Sequence, residues 1–149
     1  MTHPGQHWAV VVSRFNQRVT DRLLEGAVDT LVRHGAPAET VDVFWTPGAF
    51  ELPNITSYLL SSNKKYAALI ALGAIVRGET PHFDYIASST TASLAELNRH
   101  STVPVIFGVL TCDTMEQAEA RSDGKSGNKG AEAALAAIEM ADLYYRLRE

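Results

Sequence analysis

Short unbroken apolar runs alternate along this chain with stretches whose apolar residues recur at helical spacing. Residues 7–16, HWAVVVSRFN, hold the β-branched run Val10, Val11 and Val12 between turn-forming residues, the mark of a short buried strand. Val19, Leu23, Leu24, Ala27, Val28 and Leu31 then trace one face of a helix, with Asn16 in the N-cap place and Gly35 in the stop place. Residues 40–48, TVDVFWTPG, read as a second strand ending in a Pro-Gly turn. A helix over about residues 51–60 follows, where Pro53 is tolerated because it falls in the first turn. Residues 67–76, AALIALGAIV, are the most apolar run and predict a third strand buried on both faces. Phe83, Ile86, Ala87, Thr90, Leu94 and Leu97 mark the next helix, and residues 103–111, VPVIFGVLT, the fourth strand. Thr114 with Gln117 is a capping-box pattern that opens a short helix. The last helix runs over about residues 128–147, with Ala131, Ala134, Leu135, Ile138 and Ala141 on one face.

Strand and helix thus alternate four times, and continuous apolar strands imply a parallel sheet covered on both sides. No linker, repeat or low-complexity tract interrupts the pattern, so residues 1–149 are expected to form a single domain. In such folds ligands bind beyond the carboxyl ends of the strands. Chemistry is therefore expected at SRFN, TPGAFE, RGETPH and the stretch after the fourth strand.

Composition narrows the picture modestly. Hydrophobic residues make up 46% and charged residues 20%, an ordinary globular mix, and the net charge of −4 argues against a broad basic surface for nucleic acid. The one cysteine, Cys112, can form neither an internal disulfide nor a metal site by itself, and no metal-ligand spacing occurs. The first residues lack the basic and apolar regions of a signal peptide, and no run is long enough to span a bilayer. The expected compartment is the cytoplasm.

The stretch RGETPHFDY raises the sharpest chemical question. Thr80 reads as an N-cap and Pro81 as the first helical residue. That helix end would attract an anion, phosphate especially, with His82 at its mouth as a proton carrier. A surface histidine near a helix start is the equal alternative. His3 and His7 fall at a terminus expected to fray, and His34 and His100 close helices, where positive charge suits the dipole. Position favours a core role for Phe15, with a stacking platform for a flat heterocycle as the alternative. Glu51 is either a ligand or a first-turn charge at a helix start. Arg121, Lys125 and Lys129 gather in ARSDGKSGNKG, which lacks Walker spacing; it is either a solvated loop or, through Arg121, a phosphate grip. No protein nucleophile is evident, which suits substrates that carry their own nucleophile and leaving group.

Taken in order, SRFN, PGAFELP, GAIVRGETPHFDY, PVIFGVLTCDTMEQA and NKGAEAALAAIEMA resemble the lumazine synthase family, from about Trp8 to the end of the chain. The resemblance implies an α/β, flavodoxin-like three-layer sandwich with a four-stranded parallel sheet. It implies condensation of 5-amino-6-(D-ribitylamino)uracil with 3,4-dihydroxy-2-butanone 4-phosphate to 6,7-dimethyl-8-ribityllumazine in riboflavin biosynthesis, with no metal or organic cofactor. Matched position by position, Phe15 stacks on the pyrimidine, while Ala49, Phe50 and Glu51 hold the ribityl chain. The backbone of Ala74, Ile75 and Val76 reads the pyrimidine. Glu79 and Thr80 supply backbone N–H groups to phosphate, and His82 moves protons. Phe107 and Arg121 come from the adjacent subunit, Arg121 binding phosphate with Lys129 near the same anion. The resemblance also implies pentamers, and the short loop from Arg121 to Gly130 is similar to that of members forming sixty-subunit icosahedral shells. Riboflavin synthase is an implied partner; nucleic acid and membrane are not. Two positions depart from the common pattern: Glu79 replaces a neutral residue, and Ala120 stands where many members carry a glutamate beside the arginine.

Overall fold

The computed structural model describes residues 1–124 and 126–148. Four parallel strands form one sheet in the order β2-β1-β3-β4: β1 Trp8–Ser13, β2 Val41–Thr46, β3 Ala68–Val76 and β4 Val105–Cys112. Helices α1 Gln17–Arg33 and α5 Lys129–Leu147 cover one face; α2 Leu52–Leu60 and α3 His82–His100 cover the other. The short α4, Met115–Ala120, follows β4. This is the expected α/β sandwich with a four-stranded parallel sheet.

The period-two rule explains the two cores. Trp8, Val10 and Val12 point to the α1/α5 side, against Leu23, Ala27, Leu31, Ala134 and Ile138. Ala9 and Val11 point to the other side, with Leu52, Leu59 and Leu94. All nine residues of β3 except Val76 are buried, as a central parallel strand requires.

Helix α1 stops where Gly35 adopts φ +105°, with Gly35 N–H donating to Val32 O and Ala36 N–H to Leu31 O, a Schellman ending. Helices α1 and α5 cross so closely that a side chain on Gly130 would run into the Leu23 carbonyl. Asn128 stitches this crossing. Its Oδ1 accepts the Ala131 N–H at 3.0 Å, and its Nδ2 donates to Arg22 O at 3.1 Å and Ser122 O at 2.8 Å.

Four local expectations need correction. Asn16 precedes α1 but does not cap it with its side chain; it takes φ 62° and aims elsewhere. Helix α3 begins at His82 rather than Pro81, although Thr80 Oγ1 still accepts the His82 N–H at 3.4 Å, as a cap would. Leu135 is exposed; the buried face of α5 is Gly130, Ala133, Ala134, Ala137, Ile138 and Ala141, because small residues allow the close crossing. The N-terminus is pinned: His3 stacks on Tyr145 with ring centroids 3.8 Å apart and its Nε2 lies 2.8 Å from Asp142 Oδ1.

Candidate active site

A cavity of about 510 Å³ opens at the carboxyl ends of β1, β2 and β3. This is where the strand order reverses, since β1 and β3 are neighbours whose following chain segments leave toward opposite faces. Phe15 and Asn16 come from the β1–α1 turn, and Gly48, Ala49, Phe50 and Glu51 from the β2–α2 turn. Ala74, Ile75 and Val76 form the end of β3, and Gly78, Thr80, His82, Phe83 and Ile86 come from the turn into α3 and its first residues.

The backbone of β3 makes one wall. Its pairing with β1 ends at Leu72, opposite Val12, whereas its pairing with β4 continues to Val76, opposite Cys112. One edge of residues 74–76 therefore lacks a strand partner and faces the end of β1. Asn16 takes part of that edge: its Nδ2 donates to Ala74 O at 3.0 Å. The left-handed backbone at Asn16 reverses the chain just after Phe15. Arg14 N–H donates to Thr46 O at 2.7 Å and Phe15 N–H to Pro47 O at 3.0 Å, which fixes the turn to the β2 end. Phe15 ends up 71% exposed, so it is not a core residue; Phe50 is 58% exposed. The two rings border a cavity without filling it, as stacking surfaces would.

Glu51 sits in a short 3-10 turn, Ala49–Glu51, and its Oε1 accepts the Gly48 N–H at 2.9 Å. Thr90 Oγ1 donates to Ala49 O at 3.4 Å, tying this turn to α3. One carboxylate oxygen of Glu51 is thus committed to shaping the turn. His82 is exposed at the α3 start, beside Thr80.

Glu51 and His82 are the only residues with ionisable side chains that line the cavity among those described, and neither Lys nor Arg lines it. Gly78 and Thr80 line the wall while Glu79, between them, does not. Phe107 lies in β4 opposite Ala71, 39% exposed and outside the cavity. Arg121 is exposed at the end of α4, and Lys129 starts α5; neither reaches the cavity of its own chain. Among the described residues the Arg121 side chain has no ion-pair partner. The Lys129 N–H donates to Arg121 O at 2.9 Å, which closes the loop between them. Lys125 lies outside the described residues. The stretch after β4 therefore contributes nothing to the cavity within one chain, contrary to expectation.

The Cys112 thiol is buried, and burial pushes its pKa up from the ordinary value, so it is a poor nucleophile. Among the described residues no cluster of three or more His, Cys, Asp or Glu is placed to hold a metal ion, and no helix is long and apolar enough to cross a membrane. Sequence reasoning missed Asn16 as a cavity residue; its polar side chain before a helix signalled a cap instead. It also missed Asn128, which anchors the loop that carries Arg121.

Against known protein families, residues 5–145 match the model for 6,7-dimethyl-8-ribityllumazine synthase.

Proposed function

The chain belongs to the 6,7-dimethyl-8-ribityllumazine synthase family, transferases of riboflavin biosynthesis, and from that premise we propose how its cavity works. The substrates are 5-amino-6-(D-ribitylamino)uracil and 3,4-dihydroxy-2-butanone 4-phosphate. Phe15 stacks on the pyrimidine, whose N–H and C=O groups pair with the open backbone edge at Ala74, Ile75 and Val76, as an added strand would. Ala49 and Phe50 flank the ribityl chain, and the second oxygen of Glu51 accepts from its hydroxyls. The 5-amino nitrogen attacks the ketone carbon, and loss of water gives an imine. Loss of the C3 proton then expels phosphate from C4 and leaves an enol, which tautomerises to a ketone at C3 with C4 as a methyl group, and the ribitylamino nitrogen closes the ring on that C3 carbon with loss of a second water. His82 takes and returns the protons of these steps. The backbone N–H groups at Glu79 and Thr80 receive the phosphate.

The observation that carries the reading is a missing charge. The cavity joins stacking rings, a proton carrier and a free backbone edge, yet no lysine or arginine lines it to hold a phosphate. Arg121 and Lys129 are exposed or half-exposed on another part of the surface. A neighbouring copy that inserts its Arg121, Lys129 and Phe107 would complete the site. The gap calls for a neighbouring copy; the rest follows the family resemblance, on which we propose a ring of five chains, with sixty chains in an icosahedral shell, acting in the cytoplasm beside riboflavin synthase.

The test is to mix both substrates with purified protein and follow lumazine absorbance and fluorescence against an enzyme-free control. Product formation above the control is expected; a rate equal to the control overturns the proposal. Native mass measurement distinguishes pentamer from shell, and a monomer would contradict the shared site.

A further inference from the structure

Arg77 is the first residue after β3 and is half exposed, yet its side chain is engaged on three sides. Its Nε donates to Asp113 Oδ1 at 2.9 Å, its Nη1 lies 3.5 Å from Asp84 Oδ1, and its Cζ sits 4.4 Å from the centre of the Phe83 ring. Its backbone N–H donates to Cys112 O at 2.9 Å. The three partners belong to different places: Asp113 to the β4–α4 connection, Asp84 and Phe83 to the first turn of α3. Phe83 lines the cavity, and His82 is its immediate neighbour.

An isolated ion pair this exposed contributes little to stability. Here, however, the turn between Arg77 and His82 has few bonds of its own, chiefly Asp84 N–H to Pro81 O at 3.0 Å and the weak Thr80 contact. The Arg77 guanidinium hydrogen-bonds Asp113, pairs with Asp84 and sits over the Phe83 ring, three contacts from different directions that together fix its place. Both carboxylates offset its charge, so it is poorly suited to hold a phosphate. Asp113 also presents its N–H to Gln117 Oε1 at 2.9 Å, within the cap of α4, the helix that ends at Arg121.

We propose that Arg77 is a positioning residue: through Asp113, Asp84 and Phe83 it holds the first turn of α3, and with it His82, against the end of β4 without touching substrate. The inference rests on the reading above that His82 moves protons in this cavity. The same clamp ties the turn that carries His82 to the element that carries Arg121.

The test uses Arg77→Met, which keeps the apolar stem over Phe83, Arg77→Lys, which keeps charge without the fork, and Asp113→Asn. In Arg77→Met, kcat is expected to fall about tenfold, with KM for the butanone phosphate unchanged, since misplacing a reacting group costs rate rather than affinity. Arg77→Lys should recover part of kcat. Arg77→Met combined with Asp113→Asn should be no slower than Arg77→Met alone, because both break one clamp. Amide hydrogen exchange over residues 80–86 should quicken by about tenfold in Arg77→Met, a readout independent of activity. A raised KM with kcat kept would make Arg77 a phosphate ligand and overturn the proposal. Unchanged kcat, or unchanged exchange, would overturn it too. An inactive wild type whose amides still loosen in Arg77→Met would instead overturn the functional reading and leave the clamp standing.

Discussion

Replacing Asn16 separates two contributions of one residue. Asn16 holds φ 62° and donates Nδ2 to Ala74 O at 3.0 Å. Alanine at this position suffers the full left-handed penalty, about 1–2 kcal/mol, part of which asparagine avoids. It also loses a hydrogen bond with a net value of about 0.5–1.5 kcal/mol. Asn16→Ala should therefore destabilise by roughly 2 kcal/mol. Glycine adopts φ 62° freely and sheds the left-handed strain that asparagine still carries; set against the lost hydrogen bond and the added unfolded-chain entropy, this leaves Asn16→Gly destabilised by roughly 1 kcal/mol. The assay is urea denaturation of both variants at one fixed protein concentration, since assembly makes apparent stability concentration-dependent. Equal midpoints for the alanine and glycine variants would refute the conformational part of the reasoning. Both midpoints at the wild-type value would refute the whole.

Further outcomes follow from other parts of the molecule. His82→Ala should slow turnover by about a hundredfold, whereas Arg121→Ala should raise KM for the butanone phosphate roughly tenfold or more; steady-state kinetics with each substrate varied will separate them. Asn128→Ala removes a helix cap and the donor to Arg22 O and Ser122 O, so thermal or urea unfolding should show a loss of roughly 2–3 kcal/mol. Burial and the hydrogen bond to Asp42 push the Tyr66 phenol up to about 12. A raised folded-state pKa means its stability is fully present below pH 10 and lost as pH rises toward about 12. Stability measured across that window should fall in the wild type and fall less steeply in Tyr66→Phe.

What the sequence made legible was mostly local. The capping box of Thr114 and Gln117, the Gly35 stop and the tolerance of Pro53 depend on residues within one turn of each other, and all appear in the structure. The alternating cores of β1 and the buried β3 follow from strand period and from parallel pairing. The errors arise where a partner lies far along the chain. Asn16 looks like a cap, but its donor finds Ala74, 58 residues away. Phe15 looks like core until β3 is seen to outrun β1, which places the ring at a cavity mouth. Leu135 fits a helical stripe, yet the close α1–α5 crossing at Gly130 turns the stripe toward alanines. His3 looks frayed by its terminal position; Gln6 nearby, and Asp142 and Tyr145 far along the chain, hold it. The site motifs SRFN, TPGAFE and RGETPH converge as the strand-end rule requires. Phe107, Arg121 and Lys129 remain outside one chain's cavity.

The measurement that tests this account most directly is a mixing experiment between His82→Ala and Arg121→Ala. On the proposed site, each protein alone lacks one of the two groups everywhere. If a cavity takes its proton carrier from one chain and its phosphate grip from the next, co-assembly of equal amounts rebuilds about a quarter of the sites by random placement around a ring. Assayed with the butanone phosphate well below its KM, where loss of Arg121 lowers the rate, lumazine synthesis should then rise well above the average of the two variants once native mass confirms mixed assemblies. Mixed assemblies whose activity stays at that average would contradict a site shared between subunits.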